Sequence, residues 1–82
     1  MLKDDIKKRL ITKFPNSYIE VEDMTMQGNH FSVLVISEEF YNLSLINRHK
    51  LIYDIFKNEL TNEIHALQIK TYTKSEWEKN KI

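Results

Sequence analysis

Three histidines are the side chains of this sequence best suited to binding chemistry: His30, His49 and His65. There is no cysteine to join them. His30 follows the Gly28–Asn29 turn and opens an apolar alternation. His65 opens a second one in the stretch "EIHALQIKTYTKSEW", residues 63–77. If those two runs are neighbouring parallel strands, both histidines come to one rim of a sheet. Two imidazoles there make half of a tetrahedral metal site and leave the other half to thiolate donors from outside. The bland readings stand beside this one. His30 is an exposed strand-opening residue, and His65 is a half-buried histidine closing the sheet's end, with the parity of Leu67 and Ile69. His49 lies within a helical apolar stripe, where it reads as a core or boundary histidine bonded to a neighbour.

Catalytic arrangements are scarce. The chain has no cysteine nucleophile, no GxSxG and no HExxH, and its single glycine rules out a Gly-rich phosphate loop. The adjacent carboxylates Glu38 and Glu39 read as acidic residues at the start of a helical turn, where negative charge suits the dipole, rather than as an acid–base pair. The sequence is read as a non-enzyme.

The elements that must position these residues follow from periodicity. Ile6, Leu10 and Phe14, with Ile11 beside them, give a helix over about 4–14, with Asp4 or Asp5 to cap it and "FPN" to stop it. "SYIEVED" alternates Ile19 and Val21 with Glu20 and Glu22, a strand with one wet face. "MTMQGN" turns the chain. "HFSVLVIS" is apolar on both faces, the mark of a central strand. Ser37 and Ser44 are N-caps, the first for a short turn "EEF", the second for a helix over 45–60. In that helix Leu45, His49, Ile52, Phe56 and Leu60, widened by Leu51 and Ile55, form the inward stripe. The strand "IHALQIKTY" follows. Thr73 and Glu76 then form a capping box for a last short helix that carries Trp77. The order is α-β-β-α-α-β-α. It folds as an α+β or α/β two-layer sandwich with a three-stranded mixed sheet, in which the hairpin is antiparallel and the crossover returns the third strand parallel to the second.

Eighty-two residues make one domain, 1–82. The absence of cysteine points to an intracellular, cytoplasmic protein that does not depend on disulfides. No apolar run is long enough to span a membrane, and "MLKDDIKKRL" fits neither a signal nor a transit peptide. Twelve basic and twelve acidic residues balance, so no global field draws a polyanion. The bases do cluster, as Lys3, Lys7, Lys8, Arg9 and Lys13 in the first helix. Such a run is either a solvated face or a weak anion-binding one.

The blocks "HFSVLVISEEF", "NRHKLIYDIFKNEL" and "IHALQIKTYTKSEW" closely resemble the BolA-like family, in order and at the usual separation, over roughly residues 17–79. The resemblance implies a fold like the type II KH domain. It also implies pairing with monothiol CGFS glutaredoxins and a bridging [2Fe-2S] cluster, held by the glutaredoxin cysteine, a glutathione thiolate bound through that partner, and the histidine of the "HAL" block, here His65. No cofactor is expected in the isolated protein. The family usually draws a second ligand from the loop between the first two strands. Here that loop, Met24–Asn29, has neither cysteine nor histidine, and His30 just beyond it is the nearest usual donor. A water, a thiol from elsewhere or a partner residue stands as the alternative. The outward positions Ala66 and Lys70 are candidates for the partner interface. The resemblance also implies a KH-like nucleic-acid binder and transcriptional regulator as the competing function. A GxxG clamp is impossible with one glycine, and zero net charge weakens the electrostatic term.

Overall fold

The computed structural model describes residues 1–60, 64 and 66–80. Helix α1, Lys3–Lys13, buries Ile6 and Leu10, and Phe14 is buried just beyond its end. Ile11 is exposed, so the apolar face is narrower than the sequence suggests. The N-cap is Leu2, without a side-chain cap; Asp4 and Asp5 lie inside the first turn and meet the dipole there instead of capping it.

Strand β1, Tyr18–Asp23, runs antiparallel to β2, His30–Ile36, and β2 runs parallel to β3, Ala66–Tyr72. The order β1-β2-β3 makes β2 central, as its two apolar faces require. Phe31, Val33 and Val35 are buried beneath α1 and α2, while Leu34 and Ile36 are half-buried on the outer face. In the connecting loop, Gly28 adopts φ 73, and a Cβ there would lie 2.8 Å from the Met1 carbonyl oxygen. Both the conformation and the close approach call for glycine.

Ser37 caps a 3₁₀ turn, Glu38–Phe40, by accepting from the Glu39 N–H at 3.1 Å. Ser44 caps α2, Leu45–Ile55, by accepting from the Asn47 N–H at 3.1 Å. The spacing predicts a helix to residue 60, but regular α-helix stops at Ile55. Phe56 leaves helical geometry (φ −112, ψ 16), and Glu59 and Leu60 donate back to its carbonyl in successive turns. Turns can keep an i, i+4 apolar spacing as a helix does, which is why Phe56 stays fully buried and Leu60 packs against the core.

The inward line of α2 also differs from expectation. Leu45 is 61% exposed, and the buried line is Arg48, Ile52 and Phe56. A guanidinium can occupy that position only because its donors are used. Arg48 Nε donates to the Leu43 carbonyl at 3.0 Å, and Nη1 and Nη2 donate to the Glu76 carboxylate at 2.6 and 3.0 Å. The guanidinium also sits over the Phe40 ring, 5.7 Å from its centroid.

The last helix, α3, Lys74–Asn80, starts as predicted. The Thr73 N–H donates to Glu76 Oε1 at 2.8 Å and the Glu76 N–H donates to Thr73 Oγ1 at 3.2 Å, a reciprocal capping box. Trp77 turns back against Tyr72, ring centroids 5.3 Å apart. The core lies between the inner sheet face and the two longer helices, α1 over β1 and α2 over β3, with Phe14 and Phe40 in tilted ring contact at 5.2 Å. Among the described residues no helix is long and apolar enough to cross a membrane.

Candidate functional site

The N-terminal ends of β2 and β3 lie side by side. His30 is the register partner of Ala66, and the Ala66 N–H donates to the Asn29 carbonyl at 3.3 Å. The parallel arrangement comes from the crossover through α2; the alignment at the rim comes from the hydrogen-bond register. His30 is half-buried, and its carbonyl accepts from the Met24 N–H at 2.7 Å, which closes the β1–β2 loop. Ala66, Gln68 and Lys70 are all exposed on β3, as outward positions should be, with Lys70 opposite Leu34. His65 is outside the described residues. Among the described residues no group of three or more His, Cys, Asp or Glu is placed to hold a metal ion.

Strand alternation puts His30 on the outer face with Ala66 and Gln68, whereas the sequence groups His65 with Leu67 and Ile69. The two strands share a rim, with His30 and Ala66 side by side.

The remaining candidates have structural surroundings. His49 is half-buried, and its buried Nε2 has no hydrogen-bond partner among the described residues, so the expected bond to a neighbour is missing at that atom. Glu38 and Glu39 do open a helical turn, and Glu38 Oε2 accepts from the Lys74 N–H at 2.7 Å, adding an anionic acceptor at the start of α3. In the basic set, Lys3, Lys7, Lys8 and Lys13 are exposed. Arg9 is different: it pairs with Glu59 at 2.6 Å and lies 5.5 Å from the Phe56 ring centroid.

Electrostatic perturbation is concentrated at the other end of the sheet. The Arg48 guanidinium, with help from the Thr73 N–H, holds the Glu76 carboxyl down at about 2 from an ordinary 4.5. The same bidentate contact raises Arg48 further. On the outer face, a hydrogen bond to the Glu20 carboxylate raises the Tyr18 phenol. Sequence reasoning used Glu76 only as a cap and passed over Arg48. The available signal was its position four residues before Ile52 and eight before Phe56, on the buried helix line.

The BolA-like protein family profile matches residues 10–76. The chain belongs to the BolA-like family. It is 38% identical over 85 residues to the DNA-binding transcriptional regulator BolA of Vibrio cholerae, covering 95% of this chain and 80% of that protein. It is 34% identical over 85 residues to the protein of the same name in Escherichia coli, covering 95% and 81%. The BolA domain of SufE1 from Arabidopsis thaliana superposes with a TM-score of 0.82 at 34% identity, over 90% of this chain and 93% of that one. The BolA-like fold is thus an α+β sandwich with a three-stranded mixed sheet in this chain as in its solved relatives.

Proposed function

We propose that this BolA-like protein is a cytoplasmic, non-catalytic adaptor that shares a [2Fe-2S] cluster with a monothiol glutaredoxin and its bound glutathione, in the service of iron homeostasis. The observation that carries the reading is the rim. Ala66 opens β3 directly opposite His30, and β3 presents exposed Ala66 and Lys70 on its outer face. A shared cluster asks this chain for only one or two donors. His65 is the assigned ligand, His30 the candidate for the second, and the thiolates come from the partner side. The cluster is cargo held between two proteins.

The residue chemistry suits such a role. Imidazole in place of thiolate lowers the negative charge around iron and raises the reduction potential. An imidazole also takes up a proton near neutral pH, so a histidine-held iron is released more readily than one held by thiolates alone. The test is anaerobic co-purification with a monothiol glutaredoxin and glutathione, followed by visible absorption and circular dichroism. His65→Ala should retain the fold but lose the heterocomplex spectrum or return it to that of the glutaredoxin homodimer. A His65→Ala complex with the wild-type spectrum overturns the assignment.

A second reading is favoured by the names of the two bacterial relatives, both DNA-binding transcriptional regulators. In this chain the exposed lysines of α1 would carry it. Binding through them should be salt-sensitive, with log affinity falling by about 0.9 per phosphate contact on the log salt scale. Replacing Lys3, Lys7, Lys8 and Lys13 with alanine should abolish it, leaving Arg9 and its Glu59 contact in place. Sequence-specific binding that survives both physiological salt and the lysine substitutions would have to use another surface.

A further inference from the structure

The chain has three methionines, and all of them line one open groove of about 920 Å³ between the start of α1 and the β1–β2 loop. Met24 and Met26 come from the loop, and Met1 approaches from the other end of the sequence. Met1 is partly buried against the core, whereas the two loop methionines are not used up by packing. Met24 is 51% exposed and Met26 is 91% exposed. Met26 is also held at φ 58, a left-handed backbone conformation that an L residue rarely adopts.

The loop is fastened at several points. Asp23 Oδ2 accepts from the Gly28 N–H at 2.9 Å, Thr25 Oγ1 bonds Asn29 Oδ1 at 2.9 Å, and the Met1 amino group donates to the Gly28 carbonyl at 3.2 Å. The loop therefore fixes where two thioethers leave the backbone, while the unbranched methionine side chains retain the freedom to bring sulfur onto a common point. The charge around them is negative by one: Asp4, Glu22 and Asp23 line the groove against Lys3 and the Met1 amino group, and the buried Oδ1 of Asp23 has no hydrogen-bond partner among the described residues.

We propose that Met24 and Met26, with Met1 as a third donor, form a binding site for a soft monovalent cation, copper(I). Thioether sulfur is a poor ligand for hard cations and a good one for copper(I). The anionic lining offsets the charge of the ion and distinguishes this groove from a merely apolar docking surface. The site shares the β1–β2 loop with the cluster reading but uses neither His65 nor His30 as a ligand, and it would stand if that reading fell.

The test is an anaerobic competition between the full chain and bicinchoninate for copper(I), with the three methionine ε-methyl resonances followed in parallel. The protein should withdraw copper from the chelator, and the Met24 and Met26 methyl signals should shift. Met24→Leu/Met26→Leu keeps side-chain size without sulfur. It should keep the circular dichroism spectrum and Trp77 fluorescence of the wild type and lose the copper. The proposal is overturned if the wild type takes no copper from the chelator. It is equally overturned if the double variant binds as the wild type does, or if copper binds without moving the methyl signals and is lost on His30→Ala.

Discussion

The two ends of the β2–β3 pair are built on opposite principles. At the C-terminal end polar side chains are tied to partners from other elements, although the buried Thr71 Oγ1 has none among the described residues. Arg48 ties the Leu43 carbonyl and the Glu76 carboxylate together, Glu76 closes the capping box with Thr73, and Glu38 accepts from the Lys74 N–H. At the N-terminal end Phe31 and Leu67 are buried beneath the rim, while His30 is half-buried, Ala66 is exposed, and the hydrogen bonds of the described residues there run mainly through the backbone and the β1–β2 loop. A rigid far end keeps the backbone positions of the rim fixed. If the proposed function holds, the far end carries stability and the rim meets the partner, and that division can be broken experimentally.

The largest effect should come from Arg48→Ala. It removes the bidentate pair and leaves the Leu43 carbonyl without its donor. A cost of about 2–3 kcal/mol is expected, below the usual cost of breaking a fully buried pair because the Glu76 side chain is 44% exposed. Chemical denaturation followed by Trp77 fluorescence reads it directly. A loss no greater than that of an ordinary surface substitution would mean that the C-terminal corner is not the anchor.

Thr73→Ala should cost about 1 kcal/mol, the value of one N-cap. Because Glu76 keeps its contact with Arg48, α3 should loosen at its start without detaching. Fluorescence of Trp77 should change while far-ultraviolet circular dichroism changes little. Unchanged stability and fluorescence would count against the capping box as a working contact.

The acid limb of stability should carry the signature of Glu76. Its folded-state value, about 2, lies below the ordinary 4.5, so its contribution is complete above the ordinary range and is lost as pH falls from there toward 2. Glu76→Gln should flatten that part of the stability–pH curve and leave the curve near neutral pH with its former slope. Titration of the Glu76 carboxyl by carbon NMR gives the same answer independently: a midpoint at the ordinary carboxylate value would dissolve the pair.

Much of this contrast was legible in the sequence, for particular reasons. Period-two alternation located the strands, and the two-faced run at 33–36 identified the central one. The serine caps and the Thr73–Glu76 spacing are local signals that tertiary packing did not override. Arg48 was hidden because its partners are distant in sequence: an arginine on a helix reads as surface until a carboxylate from another element is brought to it. Leu45 misled for the complementary reason, since a helix stripe fixes which residues share a face but not where the body beneath it ends. The methionine groove was likewise illegible, because nothing local links Met1 to Met24.

The smallest effect on stability, and the sharpest test of the comparison, should come from His30→Ala. A half-buried residue at the rim contributes register through its backbone, and the Met24 N–H to His30 carbonyl bond survives the substitution. The expected stability change is about 0.5 kcal/mol, within the range of surface substitutions. Any consequence should fall on function. If His30 supplies the second ligand, the spectrum of the glutaredoxin heterocomplex should shift or weaken while His65→Ala alone abolishes it. If His30 only opens the strand, the spectrum should be that of the wild type. A stability loss as large as that of Arg48→Ala would reverse the assignment of the two ends, because the rim would then be part of what holds the sheet together.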